Sequence, residues 1–435
     1  MSHFQQAISA LIKRVQNASA EEARCVEVLE QAPTFSFIEW LHAQPMFPKF
    51  YWQSRDTREE VVALGKIHTF TDPAPAYAIL GDEQRIWGGR SFDGNTDKNR
   101  RCMSSLFFLP QIELIRFDQQ WSLAVNLSSD KQNEIAALTK LKIDAGSLPP
   151  LSAHINHIQH LPERPQWDEL VSNVLNGIEN DAFKKVVLAR KTTLSLDVPI
   201  HAAQLLKASY LQNHNSFHFM LILDSKHSFI GSTPERLYSR HGATLHTEAL
   251  AGTTGRGQNA TKDMELANWL SQDEKNLNEN QYVVDDIIDR LTPHSTNVDV
   301  EADARLVRLR KVQHLKRAIH AELKPGVNGV QLLAALQPTA AVAGLPRKES
   351  LDFISQHEPF ARGWYAGSVG FISHQRAEFC VAIRSALIVN DQVQLFAGAG
   401  IVPGSEAELE WQELNKKMST LLSLISDHPP LGVAS

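Results

Sequence analysis

Ser216-Phe-His-Phe-Met-Leu-Ile-Leu-Asp-Ser-Lys-His-Ser-Phe-Ile-Gly-Ser-Thr-Pro-Glu-Arg-Leu-Tyr-Ser-Arg-His-Gly-Ala-Thr-Leu-His-Thr-Glu-Ala-Leu250 is a train of apolar, aromatic and β-branched runs cut by turn-forming residues. Its pattern predicts strands near 216–224, 227–231, 235–239 and 244–250. Just upstream, Leu170, Val171, Val174, Leu175 and Ile178 recur at helical spacing over about 166–179, and Lys185-Val-Val-Leu-Ala-Arg-Lys-Thr-Thr-Leu194 reads as another strand. Downstream, Leu266, Leu270, Val284, Ile287 and Leu291 keep helical spacing from about 262 to 291, with a polar interruption around 272–280. Two further strands, Phe379–Ile388 and Val393–Ala397, lie in the last third. Strands in succession, joined by short turns and followed by helices, predict an α+β fold of antiparallel sheets covered by helices.

Toward the N-terminus the pattern thins. Phe50-Tyr-Trp, Val61-Val-Ala-Leu and Ser104-Ser-Leu-Phe-Phe-Leu are short strand-like runs without a catalytic grouping. Pro149-Pro150 and the Pro162 to Pro165 segment mark a turn-rich connection, dividing a less informative region, 1–160, from a denser one, 161–430. His154, His157 and His160 recur every three residues between these prolines, and a surface loop is the expected setting.

The 435 residues allow two or three domains, and 43% apolar with 21% charged residues describe an ordinary globular chain. A net charge of -6 argues against nucleic acid or an acidic membrane as partner. Cys25, Cys102 and Cys380 are widely spaced and odd in number, which fits neither a disulfide framework nor a zinc site and points to a reducing compartment. The first residues place Phe4, Ile8, Leu11 or Ile12, and Val15 at helical spacing, unlike a signal peptide. No run approaches the ~20 apolar residues of a membrane span, so a cytoplasmic location is expected.

Chemistry is concentrated after residue 165. Ala397-Gly-Ala-Gly-Ile-Val-Pro-Gly-Ser405 runs into a helix on which Glu406, Glu410, Glu413 and Lys417 share one face. Like charges at that spacing repel, so the face is either solvated or closed around a hard cation such as Mg2+ with help from another carboxylate. Glu279 shares a helical face with Val283 and Asp286 and could point inward at such a cation. Lys185 alternates onto the face of Val187 and Ala189, where lost hydration would favour a neutral amine, unless its end snorkels to water. Glu235 follows Pro234 in a stiff turn, as a protonated acid in an apolar pocket or an ion-pair partner of Arg236. Leu250-Ala-Gly-Thr-Thr-Gly255 could bring bare N–H groups to an anion but matches no phosphate-loop pattern. Arg384 is expected within the Phe379 to Leu387 strand, opposite Phe379, Val381 and Ile383, where its planar fork would suit a carboxylate. The set fits metal-assisted acid–base chemistry on a small polycarboxylate.

Lys185-Val-Val-Leu-Ala-Arg190, Ser232-Thr-Pro-Glu-Arg-Leu237, Leu250-Ala-Gly-Thr253, Val312-Gln-His-Leu315, Leu336 to Pro346, Trp364-Tyr-Ala-Gly367, Arg384-Ser-Ala386 and Glu410-Trp-Gln-Glu413 resemble, in order and spacing, the chorismate-utilising enzymes. The likeness covers about 165–425, is weaker around Phe47–Trp52 and Arg85–Gly88, and is greatest to the isochorismate-forming branch of the menaquinone pathway. The resemblance implies the fold of that family, one α+β domain of large packed antiparallel sheets with helices outside. It implies Lys185 as the base that deprotonates water for attack at ring carbon 2, and Glu235 as the acid for the departing 4-hydroxyl. It implies Mg2+ on Glu279 and Glu413, with Glu410 nearby, and a chorismate pocket lined by Gly252, Thr253, His314, Tyr365, Arg384, Gly400 and Lys417.

Amine-forming branches lack a lysine at position 185, and one carries a nucleophilic lysine where this chain has Ala251, so water is the implied nucleophile and no glutaminase subunit is expected. Gln337 stands where several branches have histidine, and the menaquinone branch shares it. A salicylate synthase, which also eliminates pyruvate, is the near alternative. A non-catalytic chorismate-binding protein is the alternative of another class.

Overall fold

The computed structural model describes residues 2–94 and 104–425, so Cys102 lies outside the described residues. The α+β expectation holds, with two large antiparallel sheets and helices on their outer faces. Among the described residues the larger sheet has 12 strands. Its order is Arg24–Leu29, Gln120–Asn126, Ile112–Phe117, Glu59–Leu64, Lys49–Gln53, Phe217–Ile222, His227–Thr233, Ser385–Val389, Gln392–Ile401, Lys185–Leu196 and Gly344–Leu345, with Ile155–Leu161 also on Lys185–Leu196. The smaller sheet has 10 strands, in the order Ser295–Val300, Val312–Leu323, Thr244–Gly255, Arg236–His241, Arg376–Val381, Ser368–Ile372, Ile86–Arg90, Leu106–Leu109 and His68–Phe70, with Arg305–Arg308 on Val312–Leu323.

Strands buried on both faces read as unbroken apolar runs rather than as alternation. Phe50, Tyr51 and Trp52 are fully buried in the centre of the larger sheet, where Lys49–Gln53 pairs with Phe217–Ile222. Ile86–Arg90 pairs with Ser368–Ile372 in the other sheet. Both sheets therefore take strands from either side of residue 160.

Two helices matter most for the site. Glu274–Leu291 starts where the Asp273 carboxylate accepts the N–H of Asn276, and it buries Val283, Val284, Ile287 and Leu291. It packs on Thr244–Gly255 and Val312–Leu323. Ala407–Ile425 lies on Gln392–Ile401, burying Leu414, Met418, Leu421, Leu422 and Ile425.

Three local expectations are corrected. The polar interruption at 272–280 is confined to a break between helices Ala260–Leu270 and Glu274–Leu291, because Asp273 caps a new helix. The His154–His160 segment is largely the edge strand Ile155–Leu161 instead of a loop. His157 and His160 point to opposite faces of it, and the His160 ring bonds Thr192 Oγ1 through Nδ1 at 2.7 Å. The run Phe379–Leu387 is two strands in different sheets, Arg376–Val381 and Ser385–Val389, because the chain changes sheet at 382–384.

Candidate active site

Two crossings between the sheets build the site. Thr233 ends a strand of the larger sheet, and Pro234, which has no N–H to offer a ladder, turns the chain into the smaller sheet at Arg236. Glu235 therefore sits on the crossing, not within a strand. The return crossing carries Arg384, whose φ of 49° is the left-handed conformation a side chain seldom adopts. The crossings are stitched together, since Val381 N–H donates to Glu235 O at 3.0 Å and Ser232 N–H to Arg384 O at 3.1 Å. That stitching aims Glu235 and Arg384 into one cavity.

Among the residues lining the cavity are Glu235, Gly252, Thr253, Glu279, His314, Tyr365, Arg384, Gly400 and Lys417. All seven residues that the resemblance implied for the chorismate pocket are in this lining. Lys185 is fully buried directly behind the wall, because a Cβ on Gly400 would fall on Glu279 Oε1 and 2.8 Å from Lys185 Cε. Gly398, two residues earlier on the same strand face, leaves room for Tyr365, whose Oη would lie 2.7 Å from an added Cβ. Gly252 has a φ of +89° at the bulge between Leu250 and Thr253, which swings Thr253 opposite His314. Ala251 also faces the cavity.

A polar chain runs along one wall. Arg384 Nη2 lies 3.4 Å from His314 Nε2, and His314 Nδ1 lies 2.9 Å from Thr253 Oγ1. A guanidinium can only donate, so Nε2 accepts and the ring proton sits on Nδ1, donated to Thr253. Burial, followed by the charges of Arg384 and Lys417, holds the His314 pKa well below its ordinary value, so the ring is neutral. The Thr253 hydroxyl hydrogen is then left for a ligand. Burial also lowers the Arg384 pKa, and Tyr365, stacked on Phe396 at 5.0 Å between ring centres, is pushed up to about 12 by burial.

Glu235 is the most perturbed carboxyl facing the cavity. Burial raises its pKa to about 8, the nearby Glu248 adds to the rise, and Lys185, Arg384 and Lys417 oppose it. A carboxyl in this state is a proton donor near neutral pH. Glu248 itself stays ionised, held low by Arg55. Arg236 pairs with Glu378, at 3.2 Å, rather than with Glu235.

The three expected metal ligands are each turned to a lysine. Lys185 Nζ is 3.1 Å from Glu279 Oε1, Lys275 Nζ 2.7 Å from Glu410 Oε1 and Lys417 Nζ 2.5 Å from Glu413 Oε1. The Lys185 contact is off hydrogen-bond geometry, which leaves that buried Nζ without a hydrogen-bond partner. Among the described residues no three His, Cys, Asp or Glu side chains form a metal-holding cluster. The donor set nevertheless fits a hard divalent cation. It is all carboxylate oxygen, and the carboxylates sense one another: burial and the charge of Glu413 raise the Glu410 pKa to about 7, with Glu279 contributing.

Sequence reasoning missed Lys275 and the buried Asn276, whose Oδ1 accepts the Thr253 N–H at 3.1 Å. Their signal was the position of Lys275 one turn before Glu279. Gly398 was also passed over, although Gly398 and Gly400 alternate onto one strand face. Gln337 lies outside this cavity wall, where its amide bonds Ser91 O and Ser368 Oγ.

Comparison with known proteins follows the same line. A family model described as chorismate binding enzyme matches residues 74–426. The chain is 40% identical over 405 residues to isochorismate synthase MenF of Escherichia coli (strain K12), covering 90% of this chain and 91% of that protein. A solved structure of MenF, the menaquinone-specific isochorismate synthase of Escherichia coli, superposes with a TM-score of 0.89 at 37% identity, covering 98% of this chain and 100% of that one. Anthranilate synthase component I of Streptococcus pneumoniae shares the fold, with a TM-score of 0.66 at 18% identity over 93% of each chain. With its cavity, its crossings and its motifs in this order, the chain belongs to the chorismate-binding enzyme family.

Proposed function

We propose that this protein is an isochorismate synthase of the menaquinone-pathway type, an isomerase that moves the ring hydroxyl of chorismate from carbon 4 to carbon 2. The observation that carries the reading is the pairing of opposite groups at one cavity. Lys185 lies buried without a hydrogen-bond partner behind Gly400, and Glu235 remains protonated to about pH 8. The relatives with this reaction in their names match across nearly the whole chain.

In this reading Lys185 takes a proton from water while the oxygen bonds to carbon 2. The ring double bonds shift, the bond to the 4-hydroxyl breaks, and Glu235 gives its proton so that the group leaves as water. The enzyme resets when Lys185 loses its proton and Glu235 regains one. Arg384 and Tyr365 would bind the enolpyruvyl carboxylate, with Thr253 and Lys417 as further polar contacts. Glu279 and Glu413, with Glu410 beside them, would hold Mg2+, whose charge would neutralise the ring carboxylate when bound. Gly252, Gly400 and the neutral His314 shape and order this pocket.

Because both sheets cross residue 160, we read the chain as one structural domain rather than as separate 1–160 and 161–430 units. No helix among the described residues is long and apolar enough to cross a membrane, and we place the enzyme in the cytoplasm, working without a glutaminase subunit.

Proton NMR of chorismate with enzyme and Mg2+ tests the reading. The expected product is isochorismate, with turnover abolished by EDTA and restored by Mg2+. Salicylate with pyruvate would transfer the chain to the salicylate synthases, and unchanged chorismate would overturn an enzymatic role. Full turnover in EDTA would remove Mg2+ from the proposal.

A further inference from the structure

Lys275 is not among the residues lining the cavity, yet it is built into the acidic corner. It projects from helix Glu274–Leu291 one turn before Glu279 and reaches across to Glu410 on helix Ala407–Ile425. Its ammonium is partly buried and lies 2.7 Å from Glu410 Oε1, and the charges of Glu279 and Glu413 are near enough to act on it as well. Lys185 and Lys417 each hold one of those carboxylates and also have work at the substrate. Lys275 has no such second role.

We propose that Lys275 is a built-in counter-cation, which holds Glu410 and screens its acidic neighbours in the metal-free protein and competes with the divalent cation for them. The inference deepens the Mg2+ reading above and rests on it. Glu279, Glu410 and Glu413 would repel one another if no cation stood among them. With Lys185 on Glu279 and Lys417 on Glu413, the Lys275 ammonium completes the neutralisation of the corner, but it carries half the charge of Mg2+ and must be turned away from Glu410 for the metal to reach that carboxylate. Lys275 therefore weakens metal affinity while preserving the shape of the site, making it a positioning residue rather than a catalytic one.

A structural lysine and a competing lysine differ in the sign of the effect. The test is direct titration of Mg2+ into substrate-free wild type, Lys275→Met and Lys275→Arg by calorimetry, with thermal melting of each in EDTA and in Mg2+. Breaking one charge-assisted hydrogen bond is the cost removed, so Lys275→Met should bind Mg2+ roughly tenfold more tightly. It should also melt lower in EDTA and recover more on adding Mg2+, while Lys275→Arg stays near wild type. Weaker binding by a folded Lys275→Met, or unchanged binding and unchanged Mg2+-induced stabilisation, overturns the proposal. Should Lys275→Met not fold, Lys275→Gln supplies the same comparison. Wild type that takes up no Mg2+ at all would overturn the metal reading itself, an outcome distinct from a wild type that binds Mg2+ and a variant that fails to tighten it.

Discussion

At the scale of single residues, Glu235 shows how a motif becomes chemistry. The sequence offers a carboxyl after proline, and only its burial at a sheet crossing keeps it protonated to about pH 8. Glu235→Gln and Lys185→Ala should each lower kcat by roughly 10²–10⁴-fold, with circular dichroism unchanged. Near-wild-type isochorismate formation by either variant would reassign the roles. The wild-type rate should fall as pH rises through about 8, where Glu235 loses its proton, and the residual rate of Glu235→Gln should lack that limb. Stability follows the same group. Its folded pKa is raised, so between the ordinary value of ~4.3 and about 8 the folded protein binds more protons than the unfolded chain, and stability declines as pH rises. Glu235→Gln removes that penalty. Its melting temperature relative to wild type should therefore be higher at pH 9 than at pH 5, and a constant difference would mean that Glu235 is not buried as a neutral acid.

At the scale of elements, strand Gln392–Ile401 makes the room in which the reaction would occur. Its glycines at 398 and 400 face Tyr365 and the Lys185–Glu279 pair, and each position has no space for a methyl group. Gly400→Ala should cut kcat/KM roughly 10- to 100-fold by displacing Lys185 and Glu279, with the strand pairing kept, as steady-state kinetics and circular dichroism would show. An unchanged kcat/KM would mean that neither group has to be held where it is. The element scale is also where reading the sequence fell short. Apolar residues flank Arg384 and Ser385 closely on both sides between Phe379 and Leu387, and a single arginine is tolerated within a strand, so periodicity did not mark the change of sheet that puts Arg384 at a corner. The histidines at 154–160 looked like a loop because prolines flank them, yet pairing with Lys191–Leu196 makes a strand.

At the scale of the whole molecule, buried ion pairs tie one sheet to the other. Arg85, one residue before strand Ile86–Arg90 of the smaller sheet, pairs with Glu59 at 2.7 Å and Glu113 at 3.1 Å, both in the larger sheet, while Arg376 of the smaller sheet reaches Glu59 at 2.9 Å. Glu113 is fully buried and also accepts the Trp87 indole N–H at 2.7 Å. Removing one partner of such a network leaves charge uncompensated, so Arg85→Met should cost about 3–5 kcal/mol in a denaturant titration. The network stands apart from the cavity lining, so kcat of the folded variant should stay within about twofold of wild type. A loss of kcat without loss of stability would show that sheet docking sets the active-site geometry more tightly than the crossings do.

The sequence alone determined the fold class, and its ordered motifs, through their resemblance to a family, pointed to Lys185 and Glu235 and to the residues from Gly252 to Lys417 that line the cavity, because motifs and local periodicity are properties of neighbours along the chain. Tertiary structure decided the rest. Whether Glu235 keeps its proton depends on a sheet crossing, whether His314 is neutral on Arg384 and burial, and which cation answers Glu410 on the approach of two helices distant in sequence. Burial and charge proximity act through space, and a one-dimensional pattern does not record which groups will share a dielectric.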